Sequence, residues 1–208
     1  MPRIAKFDED GILAAAGRLV AARGPAGATI GAIARALGAP TGSIYHRFDS
    51  RDVLLAEVWL RAAAAFQDAF FQRLAGPAPA AAGLAAALYM AQRVREHPRE
   101  ARLLLLHRRE DFVDRGWPAA MRRRAQRLAE QVETELRAFC RRLCGRAGPR
   151  AVRIVTYAVL EAPFAAVRRH VAADERPPPY VDLLIRVTYE AVIGQLGVSG
   201  LAEERSGS

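Results

Sequence analysis

Apolar side chains recur along this chain at intervals of three and four, in runs broken by Gly, Pro and short hydroxyl residues. That pattern predicts helices joined by tight turns. Ile12, Ala16, Leu19 and Val20 share a face of a first helix, capped by Asp8 and stopped after Arg23 by Gly24-Pro25. Glu9 and Asp10 suit the positive end of its dipole. Thr29 caps a second helix, with Ile30, Ile33, Ala34 and Leu37 inward and Gly38 at its end. A short third helix over Thr41 to Arg47 turns Ile44 and Phe48 inward. Ser50 caps a fourth, which carries Leu54, Leu55, Val58 and Trp59 on its apolar face and runs to about Arg73.

The later part of the chain keeps the same period. After a Gly/Pro hinge at 76–79 a fifth helix reaches Glu96, and His97-Pro98 opens a sixth over 98–113 that carries Leu103 to Leu106. Trp117-Pro118 opens a long seventh to about Leu143, with a seam of Trp117, Met121, Ala125, Leu128, Val132, Leu136, Phe139 and Leu143. Two more span 150–172, where Pro163 is expected to bring a kink, and 180–197, behind the rigid Pro177-Pro178-Pro179. No strand-like alternation occurs. The expected class is all-α with about nine helices: a three-helix head over 1–55, a helical bundle over 56–201 and a polar, disordered tail over 202–208.

Composition changes this picture little. The 208 residues are 51% hydrophobic and 25% charged, ordinary for a globular chain with a sizeable core. The net charge of +9 favours a polyanionic partner, but residues 1–51 hold seven basic and four acidic side chains, so charge alone does not locate a site. No residue between Arg73 and Arg93 is charged, yet this stretch is mostly Ala and is cut by Gly76, Pro77, Pro79 and Gly83; a loop and a helix are expected there, not a membrane span. Two cysteines and no apolar leader behind Met1 point to a reducing cytoplasm.

The chemistry concentrates in residues 29–55, two short helices with a third close behind, a layout that presents a helix to a DNA groove. Gly38 permits the sharp reversal. Thr41 and Ser43 are short hydroxyls placed to cap the third helix or to approach a base edge or phosphate, and Gly42 removes bulk where backbone must come close to DNA. Tyr45, beside Ile44 but on the outer side, offers a ring and a hydroxyl. His46 and Arg47 add donors, and arginine can pair bidentately with guanine. Arg51 stands where backbone phosphate would pass, and Thr29 with the free amides of the second helix would hold another. The expected DNA contacts are therefore Thr29, Thr41, Gly42, Ser43, Tyr45, His46, Arg47 and Arg51. Arg51, Tyr45 and Thr29 serve phosphates; Thr41, Ser43, His46 and Arg47 serve base choice.

These residues resemble the DNA-binding head of the TetR family of one-component repressors. The family motif is a Thr, then Ile-Ala-x-x-x-Gly, then a segment ending in Tyr-x-x-Phe, then Ser-Lys and a Leu. Here these stand as Thr29, Ile33-Ala34, Gly38, Ser43-Ile44-Tyr45, Phe48, Ser50-Arg51 and Leu54. The likeness covers roughly residues 8–60. Arg51 replaces the usual lysine, keeping the charge but changing its geometry, and Ala39-Pro40 replaces Val-Ser before the third helix. The resemblance implies a sequence-specific transcriptional regulator, a repressor released from a palindromic operator when a small molecule binds the C-terminal domain. It also implies a cavity within helices four to eight and a homodimer made by the last two long helices.

The body is compatible with that. The helix over 180–197 is apolar on nearly every side, with Val181, Leu183, Leu184, Ile185, Val187, Tyr189, Val192, Ile193 and Leu196, and so must be covered all round. Bulky residues near breaks are the candidates to line a ligand cavity: Trp59, Phe66, Phe70, Met90, Leu104, Trp117, Met121, Tyr157 and Phe164, with His107 and Glu161 as polar contacts. An apolar cavity rimmed by arginines suits an amphipathic anion such as an acyl thioester; the effector's identity stays open.

Other signals carry less. Cys140 and Cys144 share a helix face beside Arg141 and Arg142, which would lower a thiol pKa in a redox or metal sensor, or else they are small apolar groups in a packed seam. His46, His97, His107 and His170 show no metal-ligand spacing, and Arg122-Arg123-Arg124 reads as a solvated face. No P-loop, nucleophile elbow, nicotinamide fingerprint or paired catalytic carboxylate is present, so neither an enzyme nor a cofactor is expected. Two alternatives stay open: a helical ligand-binding protein or enzyme with a head that does not bind DNA, and a sequence-independent DNA binder.

Overall fold

The computed structural model describes residues 8–107, 112 and 117–205, with side chains as far as Leu196. Among the described residues the regular elements are all helices: α1 Glu9–Gly27, α2 Ile30–Leu37, α3 Thr41–Tyr45, α4 Arg51–Leu74, α5 Pro79–Glu96, α6 Pro98–Leu106, α7 Ala119–Cys144, α8 Pro149–Thr156, α9 Ala162–Ala172 and α10 Tyr180–Arg205. A π-helical turn, Tyr157–Glu161, joins α8 to α9 in one rod, so the described residues form nine rods, as the periodicity predicts. The turn has a covalent cause. Pro163 has no N–H for the carbonyl of Val159 and its ring crowds that oxygen, so the rod widens ahead of it. The Ala162 N–H bonds the Tyr157 carbonyl, five residues back. The expected kink is taken up in this way.

The chain packs as two compact units. The first comprises residues 1–65 and 99–127, so α4 contributes residues 51–65 to it and residues 66–74 to the second. Its core is built from Ile12, Val20, Ile33, Ile44, Leu54 and Leu55, which are fully or almost fully buried. The helical run of α1 ends before Gly24, which has φ 71°, in agreement with the predicted stop at Gly24-Pro25. Glu57 on α4 is the polar hub of this unit. It accepts from Arg61 at 2.7 Å and from Arg124 of α7 at 2.7 Å, while Arg61 also reaches Glu9 at 2.5 Å and Asp10 at 2.6 Å. Arg124 is thus paired, and Arg122 donates to the Trp117 carbonyl, so only part of the arginine run behaves as a solvated face.

The second unit comprises residues 66–98 and 128–208. Here α5 lies against α9 and α10. Arg95 fastens the end of α5 to the triple-proline turn, bonding both carboxylate oxygens of Asp182 at 2.9 and 3.1 Å and the carbonyls of Pro177 and Pro178. His170, expected only to end a helix, is in fact buried, and accepts from Arg169 Nε at 3.2 Å on its Nε2. Helix α10 runs to Arg205, into the segment predicted as a disordered tail. Ala202, Glu203, Glu204 and Arg205 are good helix formers, which explains the extension. Residues 206–208 lie outside the described residues, as do 108–111 and 113–116 of the predicted sixth helix and the turn after it.

Neighbouring side chains close tightly over Gly83 of α5. A methyl group there would lie 2.2 Å from the Tyr189 hydroxyl oxygen and 2.7 Å from Phe139 Cζ. The Tyr189 hydroxyl is itself held at 2.9 Å by the Ala80 carbonyl and cannot swing away without breaking that bond. Alanine would gain about 1 kcal/mol of helix propensity, but overpacking a rigid site costs about 1–3 kcal/mol, and a lost hydrogen bond adds about 1 kcal/mol more. Gly83→Ala is therefore expected to lower the stability of this unit, measured as an earlier midpoint in urea unfolding, although alanine normally stabilises a helix.

Candidate nucleic-acid interface

Helices α2 and α3 are set by three local devices. The Thr29 hydroxyl accepts from the Ala32 N–H at 3.2 Å and starts α2. Gly38 ends it at φ 63°, a backbone state that a side chain resists, and the chain reverses there. Pro40, with φ −63°, is the N-cap of α3 and makes no side-chain capping bond. This corrects the capping role expected of Thr41 and Ser43: Thr41 is already the first helical residue, because the proline ring presets the entry angle. Ile44 and Phe48 are buried against the rest of the unit and fix the rotation of α3.

The opposite side of α3 faces solvent. Thr41, Gly42, Tyr45 and His46 are exposed and Ser43 is half-buried. Among the described residues, the side chains of Thr41, Ser43, Tyr45 and His46 have no hydrogen-bond partner. A Cβ added to Gly42 would meet nothing within 4 Å, so packing inside the chain does not require its small size. Helix α3 stops at Tyr45, short of the predicted Arg47, and the N–H groups of Arg47 and Phe48 both turn back to the Ile44 carbonyl.

The two arginines of the candidate set are engaged differently. Arg47 is half-buried and bonds the Ser43 carbonyl at 3.1 Å through one guanidinium nitrogen. Arg51 grips the loop between α1 and α2: its Nε donates to the Ala28 carbonyl at 3.0 Å, a second nitrogen donates to the Pro25 carbonyl, and a third reaches Asp52 at 3.2 Å. The sequence suggests only a phosphate contact for it. The structure adds a clasp that holds the start of α2 in place. Bonds from a charged donor contribute about 1.5–3 kcal/mol each before solvent screening. Arg51→Ala should therefore lower the melting temperature of the protein, and Arg51→Lys should not restore it, since an ammonium cannot span several carbonyls as a fork does.

The candidate ligand residues fall in both units. Trp59, Leu104, His107, Trp117 and Met121 belong to the first; Phe66, Phe70, Met90, Tyr157, Glu161 and Phe164 belong to the second. Trp117 is a core anchor whose Nε1 donates to the Phe112 carbonyl at 2.7 Å, and His107 meets the Phe112 ring edge-on at 6.0 Å. Phe66 stacks on Phe70 and on Tyr89, with centroids 6.0 and 5.6 Å apart, and Arg73 covers the Tyr89 ring at 3.9 Å. Met90 is buried, Leu104, Met121 and Phe164 are half-buried, and Tyr157 is exposed. Glu161 is paired with Arg153 in a partly exposed bridge, so its charge is already answered. Among the described residues two buried side-chain polar atoms have no partner, Trp59 Nε1 and Gln67 Oε1. Gln67 was not singled out from sequence, because a lone amide on an apolar helix looks like any solvated residue.

Cys140 is buried and its Sγ lies 3.7 Å from that of Cys144; both thiols also reach the Arg146 carbonyl at 3.3 Å. Burial, and then Cys144 itself, push the Cys140 thiol from 9.0 up to about 12, outweighing the pull of Arg141 and Arg146. Arg142 is occupied with the Leu74 and Gly76 carbonyls. The packed-seam account therefore holds for Cys140, and iodoacetamide on the folded protein is expected to label Cys144 first. Burial likewise raises the Tyr189 phenol from 10.0 to about 12. Both groups keep their protons in the folded state, so their stabilising effect is complete below about pH 9 and drains away as pH rises towards 12. Among the described residues no cluster of three or more His, Cys, Asp or Glu could hold a metal, and no helix is long and apolar enough to cross a membrane.

Residues 12–58 match the family described as bacterial regulatory proteins, tetR family. No curated protein sequence matches the chain. Among solved structures, the fold is similar to that of the transcriptional regulator FadR from Bacillus subtilis in complex with stearoyl-CoA, at a TM-score of 0.68 and 14% identity over 89% of this chain and 98% of that one. It is also similar to the fatty acid degradation regulator FadR from Bacillus halodurans, with TM-score 0.66 and 14% identity over 90% and 98%. A TetR-like transcriptional regulator from Rhodococcus sp. RHA1 gives TM-score 0.63 and 20% identity over 93% and 99%. At these identities the likeness is one of fold.

Proposed function

We propose that this chain, whose residues 12–58 match the tetR family of bacterial regulatory proteins, is a homodimeric repressor released from a palindromic operator by a small molecule. The observation that carries the DNA-binding half is the two-sided character of α3: Ile44 and Phe48 are buried on one side, while Thr41, Gly42, Tyr45 and His46 are exposed on the other, the side chains of Thr41, Tyr45 and His46 without a hydrogen-bond partner among the described residues. Residues 1–55 act as the head and 56–201 as the ligand-binding and dimerising body, with 202–208 as a tail. Thr29, Tyr45 and Arg51 serve phosphates, and Thr41, Ser43, His46 and Arg47 serve bases, with Gly42 admitting the close approach. A single short helix reads few base pairs, so two copies are needed.

The effector is an amphipathic anion of the acyl-thioester class, in keeping with the stearoyl-CoA held by the Bacillus subtilis structure. It acts by shifting α4, which runs continuously from the head into the body. The protein works in the cytoplasm and is not an enzyme. Selecting binding sites from random duplex DNA tests the proposal. The expected result is a palindrome with half-sites one helical turn apart, about 34–36 Å. Recovery of no preferred sequence would leave a non-specific DNA binder, and turnover of a substrate without DNA retardation would leave an enzyme. Calorimetry favouring lipophilic cations over acyl anions would overturn the effector class.

A further inference from the structure

The first unit contains a cleft of about 430 Å³ between α1, α4 and α6, within the size range of small-molecule sites. Leu13, Val58 and Leu103 form its apolar floor. Its walls include small residues from two helices, Ala14 and Gly17 from α1, Ala62 and Ala65 from α4. At Gly17 this smallness is not imposed by packing. A methyl on Gly17 would make only an ordinary contact, 3.6 Å from Val58 Cγ1, and would improve helix propensity by about 1 kcal/mol.

Charge at the rim has one available sign. Arg61 is committed to Glu9, Asp10 and Glu57, and Glu100 also has a partner. Arg18 and Arg99 are exposed and have no partner among the described residues. An apolar floor under two uncompensated guanidinium groups is complementary to a molecule with a hydrocarbon body and an anionic head. We propose that this cleft binds a small amphiphilic carboxylate, its chain on Leu13, Val58 and Leu103 and its head on Arg18 and Arg99. None of the residues lining this cleft belongs to the candidate effector set, so the proposal does not depend on that set.

Calorimetry on the full chain tests this with octanoate, octanol and octyltrimethylammonium. Octanoate is expected to bind most tightly and the cation least. The double variant Arg18→Ala/Arg99→Ala should bind octanoate about tenfold or more weakly, the size expected for losing charge-assisted hydrogen bonds. Ala14→Trp, which fills the cleft from an exposed position, should abolish binding. Both arginines are solvent-exposed, so melting temperature and operator retention should stay at their original values, which separates this site from the DNA interface. Octanoate binding unchanged in both variants, or a preference for the cation, would overturn the proposal.

Discussion

Tyr45→Ala is expected to abolish operator retention in a gel at protein concentrations that fully shift the DNA with the unaltered chain. The side chain is 56% exposed, and among the described residues it has no hydrogen-bond partner, so nothing in the fold depends on it. Removal of an exposed, unpartnered group changes stability by no more than about 0.5 kcal/mol, and the melting temperature should stay put. A hydrogen bond to a charged phosphate contributes about 1.5–3 kcal/mol, and a two-fold complex loses it in both halves, so about 3–6 kcal/mol of binding is at stake. Arg51→Ala makes an instructive contrast, because it removes the clasp on the Pro25 and Ala28 carbonyls and should weaken binding and folding together. If Tyr45→Ala shifts the operator as well as the unaltered chain does, α3 is not the reading helix.

The difference between those two residues shows what a sequence displays and what it conceals. Helix ends are local, so Thr29, Gly38 and Ser50 could be assigned their turns and caps from neighbouring residues alone, and each does that work in the structure. The inward face of α3 was legible for the same reason, through the four-residue spacing of Ile44 and Phe48. Arg51 bonds a carbonyl contributed by Pro25, and Glu57 bonds Arg124; these partners are far away in the chain, and no periodic pattern announces them. The i, i+4 spacing of Glu57 and Arg61 was the one visible trace of that hub. Ligand candidates chosen for bulk scattered over both units because bulk marks core as readily as cavity wall, as Trp117 illustrates. The α1–α4–α6 cleft went unseen because it is made of absent volume, at Ala14, Gly17, Ala62 and Ala65, and hydrophobic patterning registers only the side chains that are present.

Helix α10 carries the exposed apolar stripe on which the proposed dimer rests. Val181, Ile185, Tyr189 and Leu196 follow one face and are buried within their own unit. Leu183, Leu184 and Val187 follow another and remain 59%, 52% and 55% exposed, with Ala191 and Gly194 continuing the stripe in small residues. In a two-fold interface such a stripe meets its own copy, so one charge introduced there is placed against an identical charge. Burying an uncompensated carboxylate costs about 3–5 kcal/mol, more than covering one leucine returns. The double variant Leu183→Glu/Val187→Glu should therefore be monomeric by light scattering while keeping its melting transition, since the inward face is untouched. It should also lose operator binding, because two heads no longer share one effective concentration on the palindrome. Mixing it with Leu183→Lys/Val187→Lys should restore both the dimer and the gel shift through opposite charges across the axis. A double glutamate variant that stays dimeric would place the subunit interface elsewhere on the body. A mixture that stays monomeric would mean that the two stripes do not face each other.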